Sequence, residues 1–380
     1  MKKSPTSPDD LIRSVDEKIS AVRTQTLDFS FNELADMHAA GELIIDPEFQ
    51  RMFRWTEGAQ ARFIESLLLE LPIPPIFLIE REDRIYELID GLQRISSFLH
   101  FRGQLVIDGK RQDPLVLSDC DIVPELNGVF YHDLPRALEI KLKRSYIRAE
   151  ILRKESDPRL RYYMFKRLNT GGETLSEQEI RNATIRLLSN DFNEFIADLS
   201  KNRDFIFCIG SISDNQLRKK FDQELVLRFF AYKNSFEAYT HDVADFLTDY
   251  MEEVSDPLSP TTFDYSKERI VFEKTFLTLR LVAEKLGIGS KVFGTVNPRT
   301  SEPRGQFSVY HYEGLCLGIQ SVIDKVNIED SEHIDHLATI VRDGKSDREF
   351  LKHGGAGKNY RNPLRARIAY FADRFSEVID

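Results

Sequence analysis

The sequence predicts an α+β protein in which a small α/β unit is followed by a mostly α-helical region. In the first 150 residues, short apolar runs of strand type (76–79 and 85–89) alternate with apolar residues at helical spacing. After about residue 157 only the helical spacing continues. We therefore expect a tail with a first helix (1–26), an α/β domain (27–156) and a helical domain (157–380).

Composition favours a folded protein of a reducing compartment. Of the 380 residues, 41% are apolar, which is ample material for a packed core. The three cysteines, Cys120, Cys208 and Cys316, form no CxxC pair, so neither a disulfide framework nor a thiolate metal site is indicated. No apolar run approaches the roughly 20 residues that span a bilayer. The N-terminal ten residues lack the apolar region of a signal peptide, and we expect a cytoplasmic protein without membrane contact.

The net charge of −10 argues against indiscriminate binding along nucleic-acid backbones. The charge is uneven, because residues 136–167 contain 11 Lys or Arg against 4 Asp or Glu, a balance of +7 that leaves −17 for the remainder. Such a basic segment can create a local field for a polyanion. It can equally be the solvated face of a helix and a strand, and the sequence leaves both interpretations open.

Capping signals and breakers locate the elements of the first half. Ser30 with Glu33 three residues later predicts a helix start, and Gly41 its end. A strand is expected at 43–45, and Thr56 begins a helix that the prolines at 72, 74 and 75 terminate. Residues 145–152 alternate between polar and apolar side chains, which predicts a strand that closes the sheet.

The second half reads as successive helices. Asp157-Pro158 opens a helix that the Asn-Thr-Gly-Gly break at 169–172 ends, and Ser176 with Glu179 forms a second capping box. Ile180, Ala183 and Leu187 are expected to face inward from that helix. Further helices are predicted at 189–202, 216–236, 240–254, 266–286, 309–325, 331–343 and 363–378, with a mobile loop at 287–306.

The stretch 85–101 carries the strongest chemical signal. A short strand ends at Asp90-Gly91, and Leu92, Ile95 and Leu99 then recur at helical spacing. The first turn of such a helix attracts anions, a glycine lets a ligand approach the backbone, and an arginine can grip phosphate. Asp90 can hold a metal or accept a proton. The alternative is an ordinary turn in which Asp90 caps the helix and Arg94 pairs with a surface carboxylate.

A second unusual segment covers residues 46–55. It combines two arginines, a glutamine and the only tryptophan of the chain without clean periodicity. Planar donors mixed with aromatic rings suit a nucleobase or phosphate pocket. The same residues suit a loop anchored in the core by Phe49, Phe53 and Trp55. This loop and the 90–94 junction can converge in space.

Several common site signatures are absent from the sequence. Neither GxxxxGK[ST] nor GxGxxG occurs, and no serine nucleophile elbow is present. His333 and His336 have no third ligand at suitable spacing, and no His-Asn-His nuclease cluster occurs downstream. The glycine-rich residues 353–359 lack the spacing of a nucleotide P-loop.

Four blocks in order resemble one family. They are Pro47-Glu48-Phe49-Gln50-Arg51 followed by Trp55; Leu71-Pro72-Ile73-Pro74-Pro75-Ile76; Asp90-Gly91-Leu92-Gln93-Arg94; and Leu168-Asn169-Thr170-Gly171-Gly172 with Leu175-Ser176 and Glu179-Ile180-Arg181-Asn182. Across residues 27–190 the chain is similar to the ParB/sulfiredoxin-like DGQQR domain, also called domain of unknown function 262 or the GmrS-type N-terminal domain. The resemblance implies a small α/β unit followed by helices. It also implies nucleoside-triphosphate (NTP) hydrolysis in prokaryotic defence, often beside a C-terminal His-Asn-His nuclease domain.

The resemblance assigns roles to particular residues. Asp90, Gln93 and Arg94 would be catalytic, with Asp90 also holding Mg²⁺. Phosphate-binding roles fall to Gln50, Arg51, Gly91 and Asn169. The first glutamine of the family motif is Leu92 here, and its spacing with Ile95 and Leu99 indicates that it faces the core.

The expected partners are an NTP with a divalent metal, and further candidates are DNA and a separate nuclease or effector protein. Two other functions remain open. One is a non-catalytic DNA- or protein-binding module with a degenerate pocket. The other is a nuclease acting through the ParB-like site.

Overall fold

The computed structural model describes residues 10–13, 15–16, 23–45, 53–107, 109–156, 176–186, 188–240, 242–296, 303–355 and 357–377. The chain divides into two compact units, Met1–Glu173 and Thr174–Asp380. The first unit contains the larger sheet and the second is mainly helical, so the predicted fold class is confirmed. The predicted boundary at 156/157 adjoins residues 157–175, which lie outside the described residues together with the helix and the Asn-Thr-Gly-Gly break expected there.

A five-stranded mixed sheet forms the centre of the first unit. Its strands are β1 (Thr24–Ser30), β2 (Leu43–Ile44), β3 (Ile76–Glu80), β4 (Tyr86–Asp90) and β7 (Tyr146–Leu152), and β5 (Val106–Ile107) with β6 (Lys110–Arg111) forms a separate hairpin. The order across the sheet is β1-β7-β3-β4-β2. β3 pairs antiparallel with β4 and parallel with β7. β4 has a neighbour on each side at Tyr86 and Glu87, and its last residue, Asp90, pairs with Phe77 of β3.

Four helices of the first unit are α1 (Phe31–Ala40), α2 (Glu57–Leu68), α3 (Leu92–Phe101) and α4 (Arg136–Arg144). The predicted caps are confirmed, because Ser30 and Thr56 accept hydrogen bonds from the first turns of α1 and α2, and Gly41 ends α1 in the left-handed conformation. The Phe31 ring lies 5.9 Å from the Phe63 ring and 5.1 Å from the Phe98 ring, so one aromatic cluster joins α1, α2 and α3.

The second unit is built from helices and one small hairpin. Its helices are α5 (Glu177–Ile185), α6 (Asp191–Leu199), α7 (Arg203–Cys208), α8 (Asp214–Arg218), α9 (Phe221–Ser235), α10 (Val243–Ser255), α11 (Tyr265–Lys285), α12 (Val309–Gly318), α13 (Ser331–Ser346), α14 (Arg348–Leu351) and α15 (Arg361–Ser376). Among the described residues, no helix combines the length and the hydropathy that a bilayer crossing requires. The capping box of Ser176 and Glu179 is present at the start of α5.

Two expectations for this unit are wrong, and a third is met only in part. The proposed 287–306 loop contains a hairpin of β8 (Gly294–Val296) and β9 (Pro303–Phe307), because Phe293 and Phe307 pack at 6.0 Å and hold its ends. The single helix predicted at 216–236 is broken at Lys220, which has a left-handed φ of 58°. Ile180 is only half-buried, whereas the polar side chains of Gln178, Arg181 and Asn182 on α5 are fully buried. The side chains of Ala183 and Leu187 lie outside the description.

A chain of alternating charges crosses the interior of the second unit. Glu224 lies 3.6 Å from Arg181 and 2.9 Å from Arg228, and Glu313 lies 3.2 Å from Arg228 and 2.6 Å from Arg367. Each carboxylate is therefore shared by two arginines from different helices. Because these groups are largely removed from water, loss of one partner leaves a neighbouring charge uncompensated.

Replacement of Glu313 by glutamine keeps the size of the side chain but leaves Arg228 and Arg367 without this shared anion. We expect the free energy of unfolding, measured by urea denaturation, to fall by about 3–5 kcal/mol. Glu349→Gln serves as the control, because the Glu349 side chain is 61% exposed where that of Glu313 is 3% exposed. The control should change stability by less than about 1 kcal/mol. Equal effects of the two substitutions would show that the buried chain contributes no special stability.

Candidate functional site

The candidate site lies where β4 passes into α3. Gly91 connects the two elements with a left-handed φ of 109°, a conformation that favours glycine. A Cβ atom at this position would lie only 2.3 Å from Cγ2 of Ile76 on the neighbouring strand β3. Gly91 stands at the N-cap position, and no side chain there accepts a hydrogen bond from the first turn of α3. Backbone geometry and packing therefore both require glycine at this junction.

Asp90 and Arg94 form an ion pair across this turn. Arg94 Nη2 donates to Asp90 Oδ2 at 2.9 Å and to the carbonyl oxygen of Pro75 at 3.1 Å. The Arg94 side chain is 15% exposed and that of Asp90 is 40% exposed. Arg94 Nε is buried and has no hydrogen-bond partner among the described residues. The junction thus presents a half-buried cation with unused donor capacity beside a more exposed carboxylate.

The structure bears on one of the two sequence alternatives for Asp90. The alternative in which Asp90 caps α3 is not observed, because Gly91 occupies the N-cap position and no side-chain cap is present. Arg94 does pair with a carboxylate, as that alternative proposed, but the carboxylate is Asp90 itself. Arg94 lies four residues after Asp90, which is one helical turn, and side chains at this spacing are neighbours. The guanidinium can therefore contact the carboxylate at the end of β4.

Gln93 connects the junction to the tryptophan-containing segment. Its side-chain oxygen Oε1 accepts hydrogen bonds from the backbone N–H groups of Arg54 and Trp55, each at 3.0 Å. Segments separated by almost forty residues are thereby brought together at the first turn of α3. The structure thus places Asp90, Gly91, Gln93 and Arg94 in one region. Gln50, Arg51 and Asn169, the other residues assigned to the site, lie outside the described residues.

Trp55 is held from a second side as well. Its carbonyl oxygen accepts from Nε2 of Gln60 at 2.8 Å, and its ring packs edge-to-face on Phe63 at 5.7 Å. Oε1 of Gln60 lies 2.8 Å from Nδ1 of His100, whose Nε2 lies 2.8 Å from the carbonyl oxygen of Asp113. Trp55 and Phe53 are both half-buried, so the described part of this segment is anchored.

The sequence-based site did not include Gln60 and His100. The position of each residue on its helix could nevertheless have indicated that it contributes. Gln60 shares the apolar face of α2 with Phe63 and Leu67, and a buried amide on such a face needs a partner. His100 follows Gln93 by seven residues, so both lie on the same face of α3.

Leu92 replaces a glutamine of the motif without disturbing the junction. Its side chain is 4% exposed and packs with Ile95 and Leu99 in the core, so the expected orientation is confirmed. The substitution adds an apolar contact inside the first unit and removes no polar group from the exposed side of the turn.

The described part of the basic segment is largely neutralised by neighbouring acids. Among the seven Lys and Arg residues of 136–156, five form ion pairs with carboxylates: Lys141, Lys143, Arg148, Arg153 and Lys154. This pairing favours the interpretation of a solvated helix and strand face over a strong field for a polyanion.

No group of three or more His, Cys, Asp or Glu side chains suited to a metal is found within the described residues. Asp90 is the carboxylate at the junction that the sequence proposed as a metal ligand. A single carboxylate is compatible with Mg²⁺ only where phosphate oxygens and water complete the shell, which is the way Mg²⁺ commonly binds with nucleotides.

Fold and site together define a class: an α/β domain with a strand–glycine–helix site, followed in sequence by a helical unit. The sequence and the structure were compared with known protein families, curated proteins and solved structures. Residues 31–186 match the family model of the N-terminal domain of the GmrSD restriction endonuclease, so this part of the chain is similar to that domain. The resemblance inferred from the four motif blocks is thereby confirmed. Searches of curated proteins and of solved structures give no match.

Substitution of Gly91 by alanine tests the junction directly. The variant should lose stability through left-handed strain, about 1–2 kcal/mol, and further through the clash with Ile76. Gly128→Ala is a matched control, because Gly128 also has a positive φ, 86°, but has open space around its missing Cβ. Urea denaturation should show a clearly larger loss for Gly91→Ala. Equal losses would mean that the contact with Ile76 imposes no constraint.

Proposed function

We propose that the β4–α3 junction binds the phosphates of an NTP and supports its hydrolysis, as part of a restriction-type defence system. One observation carries the proposal: Asp90, Gly91 and Arg94 lie together at the junction. Gln93 attaches the 53–56 segment to the same region through its hydrogen bonds to Arg54 and Trp55. The family match of residues 31–186 supports the restriction context.

Phosphate recognition would rest on three features of the junction. The start of a ten-residue helix carries partial positive charge and N–H donors. Gly91 adds no side chain that would keep an anion away from these donors. Arg94 supplies a cation whose Nε donor is not already used by a described neighbour.

Catalysis in this proposal is mainly electrostatic. Arg94 would stabilise the negative charge that develops on the transferred phosphoryl group. Its anchors at Pro75 and Asp90 would orient the guanidinium before the reaction, which lowers the cost of reorganisation. Asp90 would position the attacking water or, together with phosphate oxygens, hold Mg²⁺. The bound Mg²⁺ would supply charge neutralisation at the phosphates.

The role that we propose for Gln93 is not that of a phosphate ligand. Because Oε1 is bonded to the Arg54 and Trp55 amides, Gln93 would act chiefly as a positioning residue for the preceding loop. Gln50 and Arg51 precede Arg54 by four and three residues in the sequence. We propose that they complete the phosphate site from this loop, and that Asn169 borders it.

DNA and a nuclease or effector protein remain proposed partners of the system. A non-catalytic DNA-binding function through the basic segment is the second hypothesis, and the ion pairs of its described cations weigh against it. DNA binding of this kind should weaken steeply as salt is raised. A weak response to salt would argue against that function.

Phosphate release from ATP, GTP, CTP and UTP in the presence of Mg²⁺ tests the enzymatic proposal. We expect release by the unmodified protein and a loss of roughly 100-fold or more in Arg94→Ala, because the developing charge loses its cation. Arg94→Lys should recover only part of the rate, since lysine cannot reproduce the planar donor geometry.

The control variant is Arg62→Ala, which removes an exposed arginine of α2 and should leave the rate unchanged. Absence of release from all four nucleotides above the level of Arg94→Ala would reject the enzymatic proposal. A similar loss in Arg62→Ala and Arg94→Ala would reject the specific role of Arg94.

A further inference from the structure

Residues of the second motif block form one wall of a groove in the first unit, the α4 groove. It encloses about 950 Å³, at the upper end of the roughly 300–1,000 Å³ typical of ligand pockets. The groove is lined by Asp28, by residues 67, 70–73 and 75, by residues 137, 140, 141 and 144 of α4, and by residues 145–148. All of these residues belong to the first unit, and the groove is large enough to admit several side chains of a partner.

Three large apolar side chains are exposed in the α4 groove. Leu71 is 42% exposed, Ile140 37% and Tyr146 67%. They come from three different parts of the chain, namely the segment after α2, the helix α4 and the first position of β7. Single exposed apolar residues are ordinary on a protein surface, but several that converge on one concave surface indicate an interaction site.

The wall that contains Leu71 is stiff. Pro72, Pro74 and Pro75 fix the backbone φ angle at three of its positions. A preorganised wall loses little conformational freedom when a partner binds, which favours affinity. Pro75 also accepts a hydrogen bond from Arg94 through its carbonyl oxygen, at 3.1 Å. The α4 groove and the candidate site therefore share this residue.

The charges on the rim of the groove determine which occupant it suits. Lys141 lies 3.5 Å from Glu70, and Arg148 lies 3.2 Å from Asp28. Arg144 is exposed and forms no ion pair with a described residue, so the rim keeps one uncompensated positive charge. A single carboxylate complements this charge. A phosphate backbone would be repelled by the two rim carboxylates, and the aliphatic lining offers it few stacking partners.

We propose that the α4 groove docks a segment of a partner protein that combines apolar side chains with a carboxylate. The apolar side chains would cover Leu71, Ile140 and Tyr146, and the carboxylate would pair with Arg144. Burial of apolar surface supplies the driving force, and the charge-assisted hydrogen bond to the guanidinium supplies specificity. The docking itself does not depend on NTP hydrolysis. Only the assignment of this partner to the defence system rests on the proposed function.

Selection from a yeast-displayed library of short random peptides on the immobilised full-length protein tests the proposal. Peptides in which Leu, Ile or Phe accompanies Asp or Glu should be enriched, because they match both the apolar lining and the free cation of the groove. A fluorescent copy of one enriched peptide is then titrated with the protein, and its dissociation constant is measured by fluorescence anisotropy.

Arg144→Glu should weaken binding of this peptide roughly tenfold or more, because a like charge then faces the carboxylate of the peptide. Arg136→Glu is the matched control, since Arg136 is the other arginine of α4 without an ion pair and does not line the groove. The eight residues between the two positions span about 12 Å of helix, which exceeds the Debye length of about 8 Å at physiological salt. The control should therefore change the affinity by less than about twofold.

Ile140→Ser should weaken binding roughly fivefold or more, because apolar surface is no longer buried by the peptide. Ile122→Ser, which removes an isoleucine that is exposed elsewhere in the same unit, should leave the affinity unchanged. Circular dichroism establishes that each variant is folded.

Several results would overturn the proposal. They are a selection that enriches no peptide, and an enriched peptide that binds the folded Arg144→Glu and Ile140→Ser variants as well as the unmodified protein. Binding of a fluorescent single-stranded DNA that Arg144→Glu abolishes, in place of peptide binding, would assign the groove to nucleic acid. A dimer in light scattering that Ile140→Ser converts to a monomer would assign it to a second copy of the chain.

Phosphate-release assays on the same samples separate this inference from the proposed function. If the peptide binds as expected and no NTP is hydrolysed, the docking groove stands and the enzymatic proposal fails. If hydrolysis depends on Arg94 and no peptide is enriched, the enzymatic proposal stands and the docking groove fails.

Discussion

The two hydrogen bonds that the side-chain oxygen of Gln93 accepts from Arg54 and Trp55 are the constraint on which the site depends. They attach the 53–56 segment to the first turn of α3, whereas the contacts of Gln60 with Trp55 and of Phe53 with His100 attach it elsewhere. With them, a helix start, an arginine, an aspartate and an aromatic loop share one region. The two backbone N–H groups precede α2 in sequence and have no place in a helix ladder, so a side-chain acceptor is the means to satisfy them inside the fold.

The remainder of the junction is rigid for steric and electrostatic reasons. Gly91 packs so close to Ile76 of β3 that no Cβ atom could be placed at this position without a shift. Arg94 adds a bond to Pro75, which precedes β3, and therefore ties the first turn of α3 to the same strand. These contacts tie the turn at Gly91 and Arg94 to the neighbouring strand. Such preorganisation is what electrostatic catalysis of phosphoryl transfer requires.

Much of this arrangement follows from the sequence, and the reasons for the exceptions are physical. Caps at Ser30, Thr56 and Ser176 and the core position of Leu92 follow from local pattern, because short-range geometry determines them. The family was identifiable because four motif blocks occur in order. The contact of Arg94 with the carbonyl oxygen of Pro75 and the bonds of Gln93 to Arg54 and Trp55 were not predictable, since they join segments that are distant in the sequence. The hairpin at 294–307 and the buried polar face of α5 were also missed, because a glycine- and proline-rich composition and a polar helix face normally indicate solvent exposure.

Amide hydrogen exchange of Arg54 and Trp55 tests the central claim most directly. In the unmodified protein both amides should exchange slowly, because Gln93 accepts from them. In Gln93→Ala their exchange should accelerate roughly tenfold or more, whereas Gln104→Ala, which removes an exposed glutamine beyond the end of α3, should leave it unchanged. Equal exchange rates of these two amides in the unmodified protein and in Gln93→Ala would contradict the claim that this side chain assembles the site.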